Sequence, residues 1–146
     1  MVVIRGCNLP EELYYDVEKH VWAKPLGEEG VLVGMTDVAQ KLAGKILYAT
    51  VKKAGKVIER GKSAATIETE KWVGPLPLPL TGELVEANAL LKTEPTLINQ
   101  DPYGRGWVIR IRPTRLEAEL SDLLTGTAAI EAYRRKMEAE EITCEK

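Results

Sequence analysis

Lys71 is the residue with the clearest capacity for chemistry, because of the segment that precedes it. Residues 64–70 alternate as a half-buried strand, with Glu68 and Glu70 on one face and Ile67 on the other. Lys71 has the parity of Ile67, so a continued strand would direct its ammonium group into the core, where an unpaired charge is costly. The sequence therefore predicts that the strand ends in a turn and leaves Lys71 exposed.

Turn-forming residues around Lys71 support a hairpin with this lysine at its tip. Gly74-Pro75 follows within three residues, Gly61 lies ten residues before Lys71, and Gly82 lies eleven residues after it. Such spacing is typical of two strands of similar length. A lysine amine at the tip could be acylated by an external enzyme, and the alternative interpretation is a solvated surface lysine.

The sequence offers no recognisable enzyme active site. His20 is the only histidine, and we interpret it as a packed structural residue in preference to a general base. No glycine-rich phosphate-binding loop and no Gly-x-Ser-x-Gly motif occurs. Cys7 and Cys144 stand at opposite ends of the sequence, and we expect free thiols rather than a structural disulfide. With so few cysteine and histidine ligands we expect no metal site and no independent enzyme activity.

Composition limits the class of protein. The chain has 146 residues, of which 45% are hydrophobic and 29% charged, which predicts one globular domain over residues 1–146. A formal net charge of −2 without a basic stripe argues against a nucleic-acid partner. No apolar run approaches the roughly 20 residues of a membrane span, and the N-terminus lacks a secretory pattern. We therefore expect a cytoplasmic protein with no membrane partner.

The elements that position Lys71 are predicted to be mainly strands. Short alternating segments divided by turns predict an antiparallel β core over about residues 13–112. A short helix interrupts it, beginning after the cap residue Thr36 and ending at Gly44. Residues 92–105, rich in Pro, Asn, Asp and Gly, are predicted to form a loop. The fold class is therefore α+β, mainly β.

Helical periodicity begins at Thr114 and predicts two C-terminal helices within about residues 114–140. Thr114 and Glu117 have the spacing of a capping box. The first helix would carry an apolar stripe of Leu116, Leu120, Leu123 and Leu124. The second helix would start near Thr127 and turn Ile130, Tyr133 and Met137 inward. We expect both faces to pack on the sheet in preference to binding a partner.

A series of motifs in one order resembles a known family over roughly residues 13–133. The segments are Tyr14-Tyr15 with His20-Val21-Trp22, Val33-Gly34-Met35-Thr36-Asp37-Val38-Ala39-Gln40, Glu68-Thr69-Glu70-Lys71, Pro79-Leu80-Thr81-Gly82-Glu83-Leu84, Glu86-x-Asn88, Pro95-x-Leu97-Ile98-Asn99 and Asp101-Pro102-Tyr103-Gly104-x-Gly106-Trp107. They resemble the motifs of the glycine cleavage system H protein. The resemblance implies a lipoyl-domain-like antiparallel β sandwich (a barrel-sandwich hybrid) and lipoate in amide linkage to Lys71.

Departures from the family pattern surround Lys71. Glu70 stands where the H protein usually has valine, Trp72 replaces a small residue, Lys45 replaces an aspartate, and Val21 follows His20 in place of glutamate. This altered pattern, with a cysteine near each end, is similar to the H-protein-like lipoate-binding proteins of microbial sulfur oxidation. We favour that branch over glycine cleavage.

The resemblance implies a non-catalytic carrier whose partners depend on the branch. A lipoate–protein ligase or lipoyl-transfer enzyme would load Lys71. In the sulfur oxidation branch, the arm would carry sulfur intermediates for a heterodisulfide-reductase-like complex and dihydrolipoyl dehydrogenase. In the glycine cleavage branch, it would carry an aminomethyl group between the glycine cleavage enzymes. The alternatives are an unmodified binding module with this fold and a biotin carrier. A biotin carrier would be expected to have methionines on both sides of the lysine, where this chain has Glu70 and Trp72.

Neighbouring residues have two interpretations each. Glu68 and Glu70 either mark Lys71 for its ligase or only keep the hairpin solvated. Trp72 either shields the arm or packs on the protein. Cys7 and Cys144 either exchange with the lipoyl sulfurs or are incidental thiols.

Overall fold

The computed structural model describes residues 1–145 and consists mainly of antiparallel strands. Within this range there are twelve strands, four helices and 3₁₀ turns at Gly27–Glu29 and Ala89–Lys92. The strands are β1 (Val2–Ile4), β2 (Cys7–Leu9), β3 (Tyr14–Asp16), β4 (Val21–Pro25), β5 (Val31–Met35), β6 (Ile46–Val51), β7 (Val57–Ile58), β8 (Ser63–Thr69), β9 (Val73–Pro77), β10 (Gly82–Ala87), β11 (Ile109–Pro113) and β12 (Leu124–Thr125). The helices are α1 (Asp37–Ala43), α2 (Leu97–Gln100), α3 (Leu116–Leu120) and α4 (Gly126–Ala139).

Two sheets enclose the main core. The larger has the strand order β12-β3-β4-β5-β11-β10-β7, the smaller has the order β6-β8-β9, and β1 pairs with β2 in a separate hairpin. Ile67 and Leu76 of the smaller sheet share one buried cluster with Val33, Ile109 and Ile111 of the larger one. This arrangement confirms the predicted fold class, an α+β and mainly β antiparallel sandwich with a short internal helix and C-terminal helices.

The internal helix α1 has the caps that the sequence predicts. The Thr36 hydroxyl accepts a hydrogen bond from the Ala39 amide at 3.1 Å, which satisfies a donor at the start of the helix. Gly44 ends the helix at a φ of 87°, and its amide donates to the Gln40 carbonyl. A left-handed φ favours glycine, because a β carbon would be strained there. These caps fix the position at which the chain turns from α1 into β6.

Helix α4 forms a second core with β3 and β4. Ile130, Tyr133 and Met137 are buried, as predicted. The Tyr133 ring meets Tyr15 edge-on at a centroid distance of 5.7 Å. The neighbouring Trp22 indole donates hydrogen bonds to two backbone carbonyls, so this buried ring has no unsatisfied donor. Among residues 1–145 no helix has the length and hydropathy needed to cross a membrane.

Several predicted boundaries differ from the structure. Strands β1 and β2 precede residue 13, α2 lies in the predicted loop 92–105, and β12 lies between the two C-terminal helices. Leu124 therefore belongs to β12, where it pairs with Tyr15 at the sheet edge and is 38% exposed. It lies outside the predicted helical stripe because strand pairing prevails over the local periodicity.

The predicted capping box between Thr114 and Glu117 is wrong. Helix α3 begins at Leu116, and no side chain caps its start. A tertiary contact holds the helix: the buried Glu119 carboxylate accepts hydrogen bonds from the Thr81 amide at 2.7 Å and from the Thr81 hydroxyl at 2.8 Å. Hydrogen bonds to a charged acceptor are stronger than neutral ones, so this contact anchors α3 to the sheet.

The prediction of free thiols is also wrong, since Cys7 and Cys144 form a disulfide. The segment after α4 returns to the β1–β2 hairpin, where the Cys144 amide donates to the Arg5 carbonyl at 2.9 Å. The Arg5 Nε donates to the Ile142 carbonyl at 2.7 Å. Their separation in the sequence did not indicate a disulfide, because only folding brings the two cysteines together.

We expect the double substitution Cys7→Ser/Cys144→Ser to lower the free energy of unfolding by about 2–4 kcal/mol. The disulfide closes a loop with a sequence separation of 137 residues, which restricts the unfolded chain. Urea denaturation without reductant measures the difference. Reductant should destabilise the wild-type chain and leave the double variant unchanged, and equal stability of the two chains without reductant would contradict the expectation.

Candidate functional site

Lys71 lies at the tip of the β8–β9 hairpin, as the strand parity predicts. The Thr69 amide donates to the Trp72 carbonyl at 2.8 Å and closes the turn. The Lys71 amide contacts the hydroxyl of the buried Thr69 at 3.3 Å. Ile67 and Thr69 face the core, whereas the Lys71 side chain is exposed. The turn therefore holds the amine on the surface without burying its charge.

The Lys71 side chain crosses the C-terminal end of α1. A β carbon built on Gly44 would lie 3.0 Å from Lys71 Cε and 3.6 Å from Nζ. Asn99 of α2 holds this corner, because its side-chain amide donates to the Gly44 carbonyl at 2.9 Å and its side-chain oxygen accepts from the Ile46 amide. No local pattern in the sequence indicates this role of Asn99, because the role depends on the approach of α2 to the end of α1.

An apolar groove lies on one side of Lys71, with a volume of about 750 Å³. We define the apolar groove by its main lining residues, which are Met35, Ala39, Leu42, Trp72, Pro75 and Leu76. Trp72 is 41% exposed, and its indole packs over Gly74, where any side chain would collide with the ring. Trp72 therefore forms part of the groove wall and packs on the hairpin at the same time.

A second groove lies on the other side of Lys71, with a volume of about 510 Å³. We define this basic groove by Lys41, Lys45, Lys71, Thr96, Asn99 and Gln100. No carboxylate lines it. Within residues 1–145, none of its three lysine amines has a carboxylate oxygen within the 4.0 Å limit of an ion pair.

His20 and its neighbour Lys19 also line the apolar groove. The φ of His20 is 58°, its Nδ1 is 3.2 Å from the Tyr133 hydroxyl, and its ring stacks on Tyr133. Burial lowers the pKa of the imidazole, and the nearby Lys136 ammonium lowers it further. These contacts favour a neutral structural histidine over a general base.

Glu68 and Glu70 are both exposed beside Lys71. Glu68 projects from the outer face of the smaller sheet, between its cross-strand neighbours Tyr48 and Val73, which are 63% and 62% exposed. In the part of the chain that the structure describes, neither glutamate pairs with a cation. Recognition of these carboxylates by a ligase stays a prediction.

The Cys7–Cys144 disulfide lies at the other end of α1 from Gly44. Cys144 Sγ is 3.9 Å from the Asp37 carbonyl, and one ligand atom from each of Cys7, Asp37 and Cys144 falls within 4.8 Å of the others. The two sulfurs are bonded to each other, and the Asp37 carboxylate accepts hydrogen bonds from the Asn8 amide and the Gln40 side chain. The cluster therefore presents no thiolate to a metal ion or to an exchange partner unless the disulfide is reduced.

A β sandwich that presents one lysine at a hairpin tip beside an apolar groove is typical of carrier proteins that hold a prosthetic group on a lysine. The Glycine cleavage H-protein family model matches residues 13–137, and the chain belongs to this family. Members of the family are non-catalytic carriers that hold lipoate covalently on a lysine.

Named relatives agree with this assignment. The chain is 44% identical to Glycine cleavage system H protein 2 of Aquifex aeolicus over 140 residues, which cover 96% of this chain and 87% of that protein. It is 45% identical to Probable glycine cleavage system H protein 2 of Saccharolobus solfataricus over 148 residues, covering 100% and 99%. The crystal structure of a glycine cleavage system H protein from Mycobacterium marinum superposes with a TM-score of 0.73 at 29% identity, covering 85% of this chain and 98% of that one.

We expect His20 to make the protein less stable as the pH falls below 6.5, the ordinary pKa of histidine. The unfolded chain binds a proton near that pH, whereas the folded chain, with its lowered pKa, does not. The unfolded state then binds more protons, so the free energy of unfolding decreases as the pH falls. Urea midpoints between about pH 7.5 and pH 5 measure this dependence. Asparagine tolerates a positive φ, so in His20→Asn the urea midpoint should depend less steeply on pH. An unchanged pH dependence would mean that groups other than His20 cause it.

Proposed function

We propose that Lys71 carries the lipoyl group and that the resulting arm shuttles intermediates between the active sites of partner enzymes. One observation carries this assignment. Lys71 is the residue common to the linings of the apolar and basic grooves, and its ε carbon lies against Gly44 between them. A group attached there can reach either groove from an exposed hairpin tip.

The residues beside Lys71 fit a lipoyl group. The apolar groove has a volume within the roughly 300–1,000 Å³ range of small-molecule sites and is lined by apolar side chains such as Met35, Leu42 and Trp72. Acylation removes the charge of Lys71, so its side chain can lie against this wall without an unpaired ammonium group. When bound, lipoate supplies a strained cyclic disulfide that thiolates and carbanions can open. Tethering at Lys71 raises the effective concentration of the group at a partner's active site.

We place the carrier in a sulfur oxidation pathway, with a heterodisulfide-reductase-like complex, dihydrolipoyl dehydrogenase and a lipoate–protein ligase as partners. Neither groove beside Lys71 is lined by a carboxylate. The aminomethyl cargo of glycine cleavage is an amine that is protonated at neutral pH and would benefit from a nearby carboxylate. A cargo with an anionic sulfur group instead suits the lysines of the basic groove, which include Lys45.

Glycine cleavage is the second candidate system, and the names of the relatives favour it. The proteins of Aquifex aeolicus, Saccharolobus solfataricus and Mycobacterium marinum are all called glycine cleavage system H proteins. In that system the arm would carry an aminomethyl group between the glycine cleavage enzymes.

Lys71→Arg should abolish lipoylation, because a guanidinium group keeps its proton and cannot be acylated at the expected position. Each variant would be coexpressed with a lipoate–protein ligase and its intact mass measured. Lys41→Arg is the matched control, since Lys41 lines the same basic groove away from the hairpin tip. The wild-type and control chains should gain one lipoyl increment each. No increment in the wild type, or a persistent one in Lys71→Arg, would refute the assignment.

The two candidate systems differ in how the arm is loaded. We expect the lipoylated protein to remain unloaded when it is mixed with glycine decarboxylase and glycine, because a protonated aminomethyl group finds no carboxylate in either groove. Intact mass after the reaction measures the aminomethyl increment, and a glycine cleavage H protein serves as the positive control. Loading comparable to that control would favour glycine cleavage over sulfur oxidation.

A further inference from the structure

We propose that the two grooves sort the arm by charge, so that the basic groove binds an arm that ends in an anionic sulfur group and the apolar groove accommodates the uncharged arm. The inference rests on the proposed attachment of lipoate to Lys71. It concerns an anionic cargo of the class of persulfides and S-sulfonates. Such a group forms when sulfide or sulfite attacks one sulfur of the ring, the ring S–S bond breaks, and the other ring sulfur leaves as a thiolate, so the ring disulfide is reduced as the incoming sulfur is oxidised.

The two grooves share Lys71 as their boundary. Leu42 and Ala43 of α1 line the apolar groove, whereas Gln40, Lys41 and the following Gly44 line the basic groove. Lys71 crosses between them above Gly44, which has no side chain to obstruct it. Because the Lys71 side chain is exposed, rotation about its own bonds moves an attached arm from one groove to the other without a change in the backbone.

The charge of the basic groove survives modification. Acylation neutralises Lys71 and leaves Lys41 and Lys45, which are exposed and, among the described residues, not paired with a carboxylate. Lysine ammonium groups are compact charges with three rotatable donors, so they can follow an anion whose position varies. Both lysines are exposed, so we expect their attraction for the anion to weaken as the salt concentration rises.

Polar side chains of α2 and of Thr96, the residue before it, complete the basic groove. Within residues 1–145, the Thr96 hydroxyl and the Gln100 side-chain amide take part in no side-chain hydrogen bond, so both are free to donate to an anion. Asn99 has another role, since its amide nitrogen already donates to the Gly44 carbonyl and to the Gln40 side chain. The hydrogen bond from Asn99 satisfies the Gly44 carbonyl at the end of α1, which would otherwise repel an anion.

The apolar groove offers less to an anion. Lys19 is the ammonium group that lines it besides Lys71, and it lies beside His20, whose pKa is lowered by burial. The remaining wall consists of apolar side chains, which would leave an anionic group poorly solvated. An uncharged arm loses little by entering this groove and gains the burial of apolar surface.

The experiment compares two arms that differ in charge but have nearly the same size. Lipoylated protein is reduced at the arm and alkylated with iodoacetate, which adds carboxylates, or with iodoacetamide, which adds neutral amides. Intact mass first confirms the lipoyl increment and then two adducts. Lys71→Arg protein treated in the same way should gain none, which shows that the Cys7–Cys144 disulfide has not reacted.

The readout is the amide NMR spectrum of each adduct. We expect the anionic arm to shift the resonances of Lys41, Lys45 and the Gln100 side chain, and the neutral arm to shift the Trp72 indole instead. In Lys41→Gln/Lys45→Gln the two adducts should give the same shifts. Lys52→Gln/Lys53→Gln, which removes two exposed lysines outside both grooves, should behave like the wild type.

The outcomes separate the two proposals. Absence of the lipoyl increment refutes both the attachment to Lys71 and the charge sorting. A lipoylated protein whose two adducts give the same spectrum refutes charge sorting alone, as does an anionic arm that shifts Lys19 and His20 in the apolar groove. A charge-dependent shift that persists in Lys41→Gln/Lys45→Gln also refutes it.

Discussion

The desolvation cost of an ammonium group determines where β8 ends, and the site is assembled around that end. Ile67 and Thr69 face the core, and Lys71 has the same parity, so one more strand residue would bury a charge. The hydrogen bond from Thr69 to Trp72 turns the chain instead. The turn sends Lys71 across Gly44 and brings the Trp72 indole to the groove wall, so the position of both residues follows from the same constraint.

A single amine therefore lies between two environments of opposite character. The apolar groove is lined mainly by apolar side chains, whereas the basic groove has three lysines and no carboxylate in its lining. Asn99 joins the walls of the basic groove, because its side chain bonds the end of α1 and the start of β6 from α2.

The parts of the fold that depend on local chemistry could be predicted from the sequence. Thr36 and Gly44 bound α1 because a side-chain cap and a left-handed glycine act within one turn of helix. The alternation of residues through β8 predicted the exposure of Lys71, because strand parity is also a local property of the chain. The capping box at Thr114 was wrong: α3 begins at Leu116 without a side-chain cap, and Glu119 anchors it through Thr81, which is distant in the sequence. Leu124 pairs as a strand residue with Tyr15, which lies near the other end of the chain. The local periodicity around Leu124 could therefore not indicate this strand.

The basic groove and the disulfide could not be predicted, because each needs segments that only folding brings together. Lys41 and Lys45 meet Thr96 and Gln100 through α2, which the sequence indicated as a loop. Cys7 and Cys144 meet through the return of the chain after α4. That bond makes the backbone between the two cysteines a covalently closed ring. A single cleavage in an exposed turn, such as that around Gly55, would open the ring but leave one connected molecule, and two cuts would be needed to release a fragment.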